Sequence, residues 1–255
     1  MPTFSSDHFV TKRHPPITTD ADPLAGHLVP PPGIWSKCAH YSARYGWFHA
    51  LCSYVGRKWP LVWVWVGPIV TRRYLKQWLG SSGPHILNLG GGGVLSIQWL
   101  TADVTARADV FMDATKSLPL PNAALDAVYS EEVIEHIDRQ AGRRMLAECF
   151  RVLKPGGTIR LTTPSLDYFA KQVLSNPAAV QQINDIFYGH GHQFIYSEEC
   201  LRQVLSETGF TNIRQSTYRD ANSKYGSFDS HPARFAFAPP EWSQYWEAEK
   251  PLKLS

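Results

Sequence analysis

Residues 85–93 read HILNLGGGG, a mostly apolar stretch that runs directly into four glycines. A short apolar stretch of this length is typical of a strand buried in a parallel sheet. Glycines after such a strand permit positive φ angles and allow a ligand to approach the backbone closely, because no Cβ intervenes. The segment therefore predicts a first parallel strand followed by a ligand-binding turn. A mobile turn without a ligand is the alternative that the glycines alone leave open.

Downstream of this turn, short apolar strands alternate with amphipathic helices. Strands are expected near residues 99–102, 110–112, 125–129, 158–163, 211–218 and 245–249, and helices over 131–137, 139–153 and 198–208. Such alternation is typical of a doubly wound sheet with helices on both faces. We therefore predict an α/β, Rossmann-like fold for residues 81–255, with a mostly parallel sheet and an antiparallel last strand.

Two segments of different composition precede this domain. Residues 1–33 hold seven of the 19 prolines and are predicted to be an extended or disordered arm. Residues 34–80 hold six of the nine tryptophans, interspersed with arginine and lysine. They are predicted to form two or three short helices, broken at Pro60 and Pro68, that cap the α/β domain.

The tryptophans of the cap allow two interpretations. If the cap packs over the cofactor cleft or forms a homodimer contact, Trp63 and Trp65 should be buried there. Alternatively, these indoles lie at headgroup depth and attach the cap peripherally to a membrane, beside the basic side chains. We expect the first interpretation and keep the second open.

Composition and charge exclude several classes of protein. The hydrophobic fraction of 44% rules out wholesale disorder. A net charge of +3, from 25 basic and 22 acidic residues, is too balanced to favour a nucleic-acid partner. The four cysteines form no C-x-x-C pair, which argues against a disulfide framework or a thiolate zinc site. The first residues lack the apolar stretch of a secretory signal, so we expect a cytoplasmic protein, with peripheral attachment to a membrane as the open alternative.

Acidic side chains follow the next two predicted strands. Asp103 ends the second strand and Asp113 follows the third. Because the carboxyl ends of parallel strands share one edge of a sheet, both should lie near the glycine turn. A carboxylate at the position of Asp103 can accept hydrogen bonds from ribose hydroxyls, and Asp113 is placed to meet an adenine edge. Each aspartate by itself is also compatible with a turn or cap residue.

Four segments resemble the successive motifs of class I S-adenosylmethionine-dependent methyltransferases, most closely the type 11 group. They are NLGGGG at 88–93, DATKSLPLP at 113–121, LDAVYS at 125–130 and FRVLKPGG at 150–157. The last segment is the most specific, and the resemblance extends over about residues 84–252.

The resemblance implies that S-adenosylmethionine binds along the strand ends. It assigns the methionine end to Gly90 and Gly92, the ribose to Asp103, the adenine to Asp113 and the sulfonium side to Ser130. Asn88 is a further cofactor-binding candidate, at a position where many members have an acidic residue. Asp103 follows Gly90 by only 13 residues, fewer than in a full Rossmann unit, which predicts a truncated first crossover helix.

A second cluster is predicted from EEVIEH at residues 131–136. On an α-helix, Glu132, Glu135 and His136 share one face, and carboxylates with an imidazole suit Mn, Fe, Co or Zn. The spacing resembles the E-x-x-E-H motif of metal-dependent O-methyltransferases of ubiquinone biosynthesis and of small-RNA 2′-O-methyltransferases. A downstream histidine completes that site, and His192 is the candidate here. The open alternative is a solvated helix end without metal.

The resemblance implies a methyltransferase, and we predict O-methylation of a small-molecule acceptor such as a sugar or glycan intermediate or a lipid-linked phenol. His192 and His136 are the candidate catalytic bases, unless both bind a divalent ion that acidifies the acceptor hydroxyl. Two alternatives remain open: RNA 2′-O-methylation, and a non-catalytic cofactor-binding or membrane-associated partner protein.

Overall fold

The computed structural model describes residues 34–92, 94–230 and 239–253, so the arm predicted for residues 1–33 lies outside the described residues. The helices are α1 (Ile34–Tyr45), α2 (Trp47–Lys58), α3 (Pro60–Leu79), α4 (Arg139–Val152), α5 (Leu166–Ser175), α6 (Val180–Asn184) and α7 (Glu198–Thr208). The strands are β1 (Ile86–Leu89), β2 (Leu100–Asp103), β3 (Val110–Phe111), β4 (Leu125–Glu131), β5 (Leu153–Pro164), β6 (Thr211–Ser216) and β7 (Ser243–Glu249).

These strands form one sheet in the order β3-β2-β1-β4-β5-β7-β6. Strands β1 to β5 pair in parallel, whereas β7 is antiparallel to both β5 and β6. The predicted Rossmann-like sheet with an antiparallel last strand is therefore confirmed. The strand order reverses between β1 and β4, and open α/β sheets hold ligands at the carboxyl ends of the strands at such a reversal.

The helix predicted over residues 131–137 is wrong. Strand β4 continues through Glu131, whose carboxylate accepts hydrogen bonds from the backbone nitrogen and the hydroxyl of Ser230. Glu132 then has a φ of 55°, which is incompatible with a right-handed helix, and Ile134–His136 form a single 3₁₀ turn. Sheet pairing and the distant Ser230 contact override the local helical spacing.

Among the described residues, no helix lies between β1 and β2, in keeping with the short spacing of that crossover. The face that such a helix would cover is instead covered by the chain between β6 and β7. Tyr225 and Phe228 of this excursion pack with Trp99 against Ile86 of β1 and Ala127 of β4. The excursion therefore brings side chains from the end of the chain to the centre of the sheet.

A buried ion-pair network fixes this excursion to the sheet. Arg160 of β5 is fully buried, and its Nε and Nη2 donate to the two carboxylate oxygens of Asp229 at 2.7 and 2.5 Å. Its Nη1 donates to Glu247 of β7 at 3.1 Å. The Tyr129 hydroxyl also donates to the carbonyl of Phe228 at 3.1 Å. Phe228 is thereby held beside the carboxyl half of β4.

Helices α1 to α3 pack against the β3 edge of the sheet. The Thr71 hydroxyl of α3 accepts from the backbone nitrogen of Phe111 at 2.8 Å and donates to its carbonyl at 3.2 Å, which satisfies the free edge of β3. Asp109 is fully buried and accepts from Nε of Arg44 at 2.9 Å and from the backbone nitrogen of Thr101 at 2.8 Å. Asp109 therefore ties α1 to β2.

The two prolines of the cap differ in their effect on α3, and its two central tryptophans differ in burial. Pro60 begins α3, where its missing N–H costs nothing, but Pro68 lies inside α3 and does not break it. Trp63 is buried at 1% exposure, as expected, whereas Trp65 is 80% exposed, so the expectation of burial is wrong for Trp65 within this chain. The two indoles are two residues apart and thus leave the helix on different sides.

Among the described residues, no helix is long and apolar enough to cross a membrane.

Candidate functional site

The turn after β1 contains two glycines with positive φ angles, and their steric surroundings differ. Gly90 has a φ of 79°, and a Cβ there would lie 2.4 Å from Cγ2 of Val133. Gly92 has a φ of 57°, but a Cβ there would meet no atom within 4 Å. The backbone at Gly92 therefore faces open space, while Gly90 is required for packing.

Asn88 supports this turn from within the sheet. Its side chain is buried, and a Cβ on Gly91 would lie only 2.3 Å from its Nδ2. Its amide oxygen Oδ1 has no hydrogen-bond partner among the described residues. Because an unsatisfied buried acceptor is costly, this oxygen marks a place for a ligand donor. Asn88 and Gly90 line a small cleft at the carboxyl end of β1.

Asp103 and Asp113 lie where the sequence places them, at the ends of β2 and β3. One carboxylate oxygen of Asp103 accepts from the backbone nitrogen of Gly92 at 3.0 Å, and the other from that of Thr105 at 2.8 Å. Asp103 thus binds the glycine turn to β2. Oδ1 of Asp113 accepts from the backbone nitrogen and the hydroxyl of Thr115, at 2.9 and 2.7 Å, which closes a tight turn after β3.

The loop after Asp113 is clamped by two residues of α4. Arg151 donates from Nη2 to the carbonyl of Leu118 at 3.0 Å and from Nη1 to that of Leu120 at 2.8 Å. Glu148 accepts from the backbone nitrogen of Leu118 at 2.7 Å. The hydrogen bond from Arg151 lowers the pKa of Glu148 to about 2. The arginine of the FRVLKPGG motif therefore positions the loop assigned to the adenine.

Ser130 does not line the cleft. It is fully buried in β4, and its hydroxyl donates to the carbonyl of Leu89 at 3.0 Å. The side chain stabilises the pairing of β4 with β1 from inside the sheet, and its contact with the cofactor stays a prediction.

The structure brings Glu135, His136 and His192 together. One potential ligand atom from each lies within 4.8 Å of the others. The loop that contains His192 is docked on the 3₁₀ turn, because the backbone nitrogen of Gln193 donates to the Glu135 carbonyl at 2.7 Å and its side chain to the His136 carbonyl at 2.7 Å. The rings of His136 and His192 meet edge to face, with centroids 4.6 Å apart.

The electrostatics of this group depend on burial. The Glu135 carboxyl is fully buried, and burial, followed by repulsion from Glu132, raises its pKa well above the usual range. Its Oε2 accepts from the hydroxyl of Thr163 at 3.0 Å, whereas Oε1 has no hydrogen-bond partner among the described residues and lies 3.8 Å from Nε2 of His136. Burial lowers the pKa of His136, so this imidazole is neutral at pH 7.

Glu132 is not part of this group, so the predicted four-residue cluster is wrong in that member. The Thr162 hydroxyl donates to Glu132 at 3.4 Å, while the neighbouring Thr163 donates to Glu135. Successive residues of a strand point to opposite faces, so the two glutamates are bound by hydroxyls from opposite faces of β5, although Glu132 is close enough to repel the Glu135 carboxylate. A helix would have placed them together, but residues 131–136 form a strand end and a 3₁₀ turn instead.

Sequence reasoning missed the other side of the small cleft. Its lining includes Trp99, Tyr129, Glu131, Phe228 and Ser230 in addition to the glycine turn. Two of these come from the irregular excursion between β6 and β7, which has no periodicity that would reveal where it packs. The adjacent pair of glutamates at the end of β4 was the only available signal, and it pointed to a helix.

A larger cleft of about 620 Å³ lies beside Pro84 and Ile86 at the amino end of β1, and it shares Trp99 and Phe228 with the small cleft. Trp78 and Trp99 line it, together with Lys224 and Arg44. Its size alone would make it the first choice as a ligand site, but none of the predicted site residues contributes to it.

Comparisons with known proteins give the same assignment as the motifs. Residues 87–161 match the model of the family described as Methyltransferase domain. A protein of Mycobacterium tuberculosis named as a probable S-adenosylmethionine-dependent methyltransferase is 35% identical over 128 residues, which cover 47% of this chain and 41% of that protein. A similarly named protein of Mycolicibacterium smegmatis is 38% identical over 80 residues, 31% of this chain and 30% of its own length. The chain thus spans less than half the length of the curated relatives it matches.

Among solved structures, a methyltransferase from Archaeoglobus fulgidus is similar over 83% of this chain and 99% of its own, with 16% identity and a TM-score of 0.45. The sequence matches cover the glycine turn, the loop after β3 and the FRVLKPGG motif, which together form the carboxyl edge described above. Residues 87–161 therefore match the methyltransferase domain that the motifs indicate, and the chain is similar there to the type 11 group of class I S-adenosylmethionine-dependent methyltransferases.

Proposed function

We propose that the whole chain is an enzyme that transfers a methyl group from S-adenosylmethionine to a hydroxyl oxygen of a small molecule. The observation that best supports an oxygen acceptor is the group formed by Glu135, His136 and His192 at the carboxyl edge of the sheet. Two imidazoles beside a buried carboxyl are suited to take up or displace a hydroxyl proton.

The residues of the glycine edge fit the cofactor. Gly92 faces open space with a positive φ, and the buried Oδ1 of Asn88 lacks a hydrogen-bond donor among the described residues. Asp103 and Asp113 offer further carboxylate lone pairs at the ends of β2 and β3. These four residues, with Gly90 shaping the turn, would hold S-adenosylmethionine.

When bound, S-adenosylmethionine supplies a methyl group that the adjacent sulfonium already makes electrophilic. The chain must then orient the acceptor and remove one proton. The neutral imidazole of His136 can accept that proton, and the ring of His192 packs against it. Phe228 and Trp99 line the other side of the small cleft and would limit the access of water.

The same three side chains also fit a divalent cation. The buried Glu135 Oε1 lacks a hydrogen-bond partner among the described residues and faces an imidazole, as expected of a carboxylate ligand. Two imidazoles with one carboxylate suit Mn, Fe, Co or Zn. Such an ion would lower the pKa of an acceptor hydroxyl.

Calorimetry with S-adenosylmethionine and S-adenosylhomocysteine tests the cofactor assignment. We expect one site per chain, and Asp113→Ala should weaken binding by about 1 to 3 kcal/mol, which is about 5- to 150-fold. Asp126→Ala is the matched control, because Asp126 lies at the amino end of β4 and pairs with Lys154. Equal affinity of the Asp113→Ala variant and the wild type would contradict the adenine assignment.

An acceptor screen with labelled cofactor tests the reaction. Sugars, phenols and short RNAs are offered, before and after chelation. Transfer that is lost on chelation while cofactor still binds supports the metal, whereas transfer that survives supports the histidine base. Transfer only to RNA would favour the 2′-O-methylation alternative. Cofactor binding without any transfer would favour a non-catalytic partner protein.

A further inference from the structure

The solvent side of the α2–α3 hairpin is unusually apolar. Leu61, Trp65 and Ile69 of α3 are 82%, 80% and 63% exposed, and Trp47 at the start of α2 is 72% exposed. The three α3 residues follow one another at intervals of four and therefore form a stripe along one side of the helix. We call the exposed side of α2 and α3 the cap face. Scattered exposed apolar residues are ordinary, but a contiguous group of this size indicates an interaction surface.

The fold gives this exposure a clear cause. The opposite side of α3 is used for packing, because Trp63, Val70 and Leu75 are buried and Thr71 holds the β3 edge. Neither the sheet nor another described helix is left to cover the stripe. The exposed indoles therefore have no role in holding the described fold together.

The cap contains positively charged side chains and no negatively charged ones. Residues 34–80 contain seven basic side chains and no aspartate or glutamate. Arg72 and Lys76 are exposed and continue the α3 stripe at the next two helical positions, and Lys58 ends α2. Apolar and aromatic side chains are thus bordered by cations on the same surface.

From this combination we propose that the cap face binds the surface of a membrane that contains anionic lipids. Indole rings favour the headgroup region, where their apolar body and polar N–H are both satisfied. Arginine and lysine nearby are attracted by anionic headgroups. A second copy of the chain fits less well, since a two-fold contact through this face would bring basic side chains of both copies together. The proposal does not depend on which acceptor is methylated.

Co-sedimentation of the full chain with lipid vesicles tests the proposal. We expect binding to vesicles of phosphatidylcholine with phosphatidylglycerol that is about tenfold or more tighter than binding to phosphatidylcholine alone, and that weakens as salt is added. The double variant Leu61→Ser, Trp65→Ser should lose about tenfold or more of that binding, and Arg72→Gln with Lys76→Gln should remove the preference for phosphatidylglycerol.

Leu174→Ser is the matched control, because Leu174 is 85% exposed on α5, away from the cap. It should bind vesicles like the wild type. Thermal melts of all variants should match, since the substituted side chains are exposed. Failure of the wild type to bind anionic vesicles would overturn the proposal. So would a dimer by light scattering that dissociates in the Leu61, Trp65 variant, because it would assign the cap face to a second copy.

Discussion

Replacing Arg160 with methionine should strongly destabilise the fold. Methionine fills a similar volume but leaves the fully buried Asp229 without the cation that contacts both of its oxygens. Removing one partner of a buried ion pair typically costs about 3 to 5 kcal/mol. For a chain of this size, that corresponds to a fall in melting temperature of about 6 to 20 °C.

The pH dependence gives a second readout of the same variant. Burial already raises the pKa of Asp229 in the folded protein, and Arg160 opposes that rise. Without Arg160 the folded-state pKa rises further above the unfolded value. A carboxyl with a raised folded-state pKa favours folding at low pH and opposes it at high pH. The stability deficit of Arg160→Met should therefore shrink as pH falls from neutral.

Arg214→Met is the matched control for this variant. Arg214 also pairs with Glu247 and with Asp220, but 41% of its side chain is exposed. Exposed pairs contribute about 1 kcal/mol or less. Urea titrations of both variants measure the difference. Equal, small losses for Arg160→Met and Arg214→Met would refute the argument that the buried network holds the β6–β7 excursion on the sheet.

Three further substitutions test the cofactor edge. Glu148→Gln should lower the free energy of unfolding by about 1 kcal/mol at neutral pH, a value already reduced for the partial exposure of the carboxylate. Arg151 holds the pKa of Glu148 low, so this loss of stability should vanish as pH falls from about 4.5 towards 2. Melting temperatures recorded across this pH range measure the effect. The Gly92→Ala variant should fold, with a stability lower by about 1 to 2 kcal/mol because of its positive φ, but it should bind S-adenosylhomocysteine poorly. The Gly90→Ala variant should be markedly less stable, because its Cβ would meet Val133. Unimpaired binding by Gly92→Ala would remove the glycine turn from the site.

Local patterns predicted the sheet and its carboxyl edge well. The strand before Gly90, the positions of Asp103 and Asp113 at strand ends, and the whole of α7 follow from periodicity and turn residues. His192 was placed beside the cluster by its glycine-rich loop. Each of these depends on interactions between residues close in sequence, or on the rule that parallel strands end at one edge.

The failures depend on contacts between distant residues. Glu131 stays in a strand because Ser230, 99 positions away, binds its carboxylate. Pro68 remains inside α3, where the adjacent Gly67 packs closely against Phe111 of the sheet. No periodicity within a window of ten residues reports such contacts, so tertiary packing overrides local preference.

We expect the cofactor to bind at the carboxyl edge, around the glycine turn, and not in the larger cleft at the amino end of β1. Hydrogen exchange of the wild-type chain with and without S-adenosylhomocysteine distinguishes the two places directly. We expect slower exchange in residues 88–92 and 113–118, with residues 78–86 unchanged. Protection confined to residues 78–86, or no protection at all, would contradict this placement.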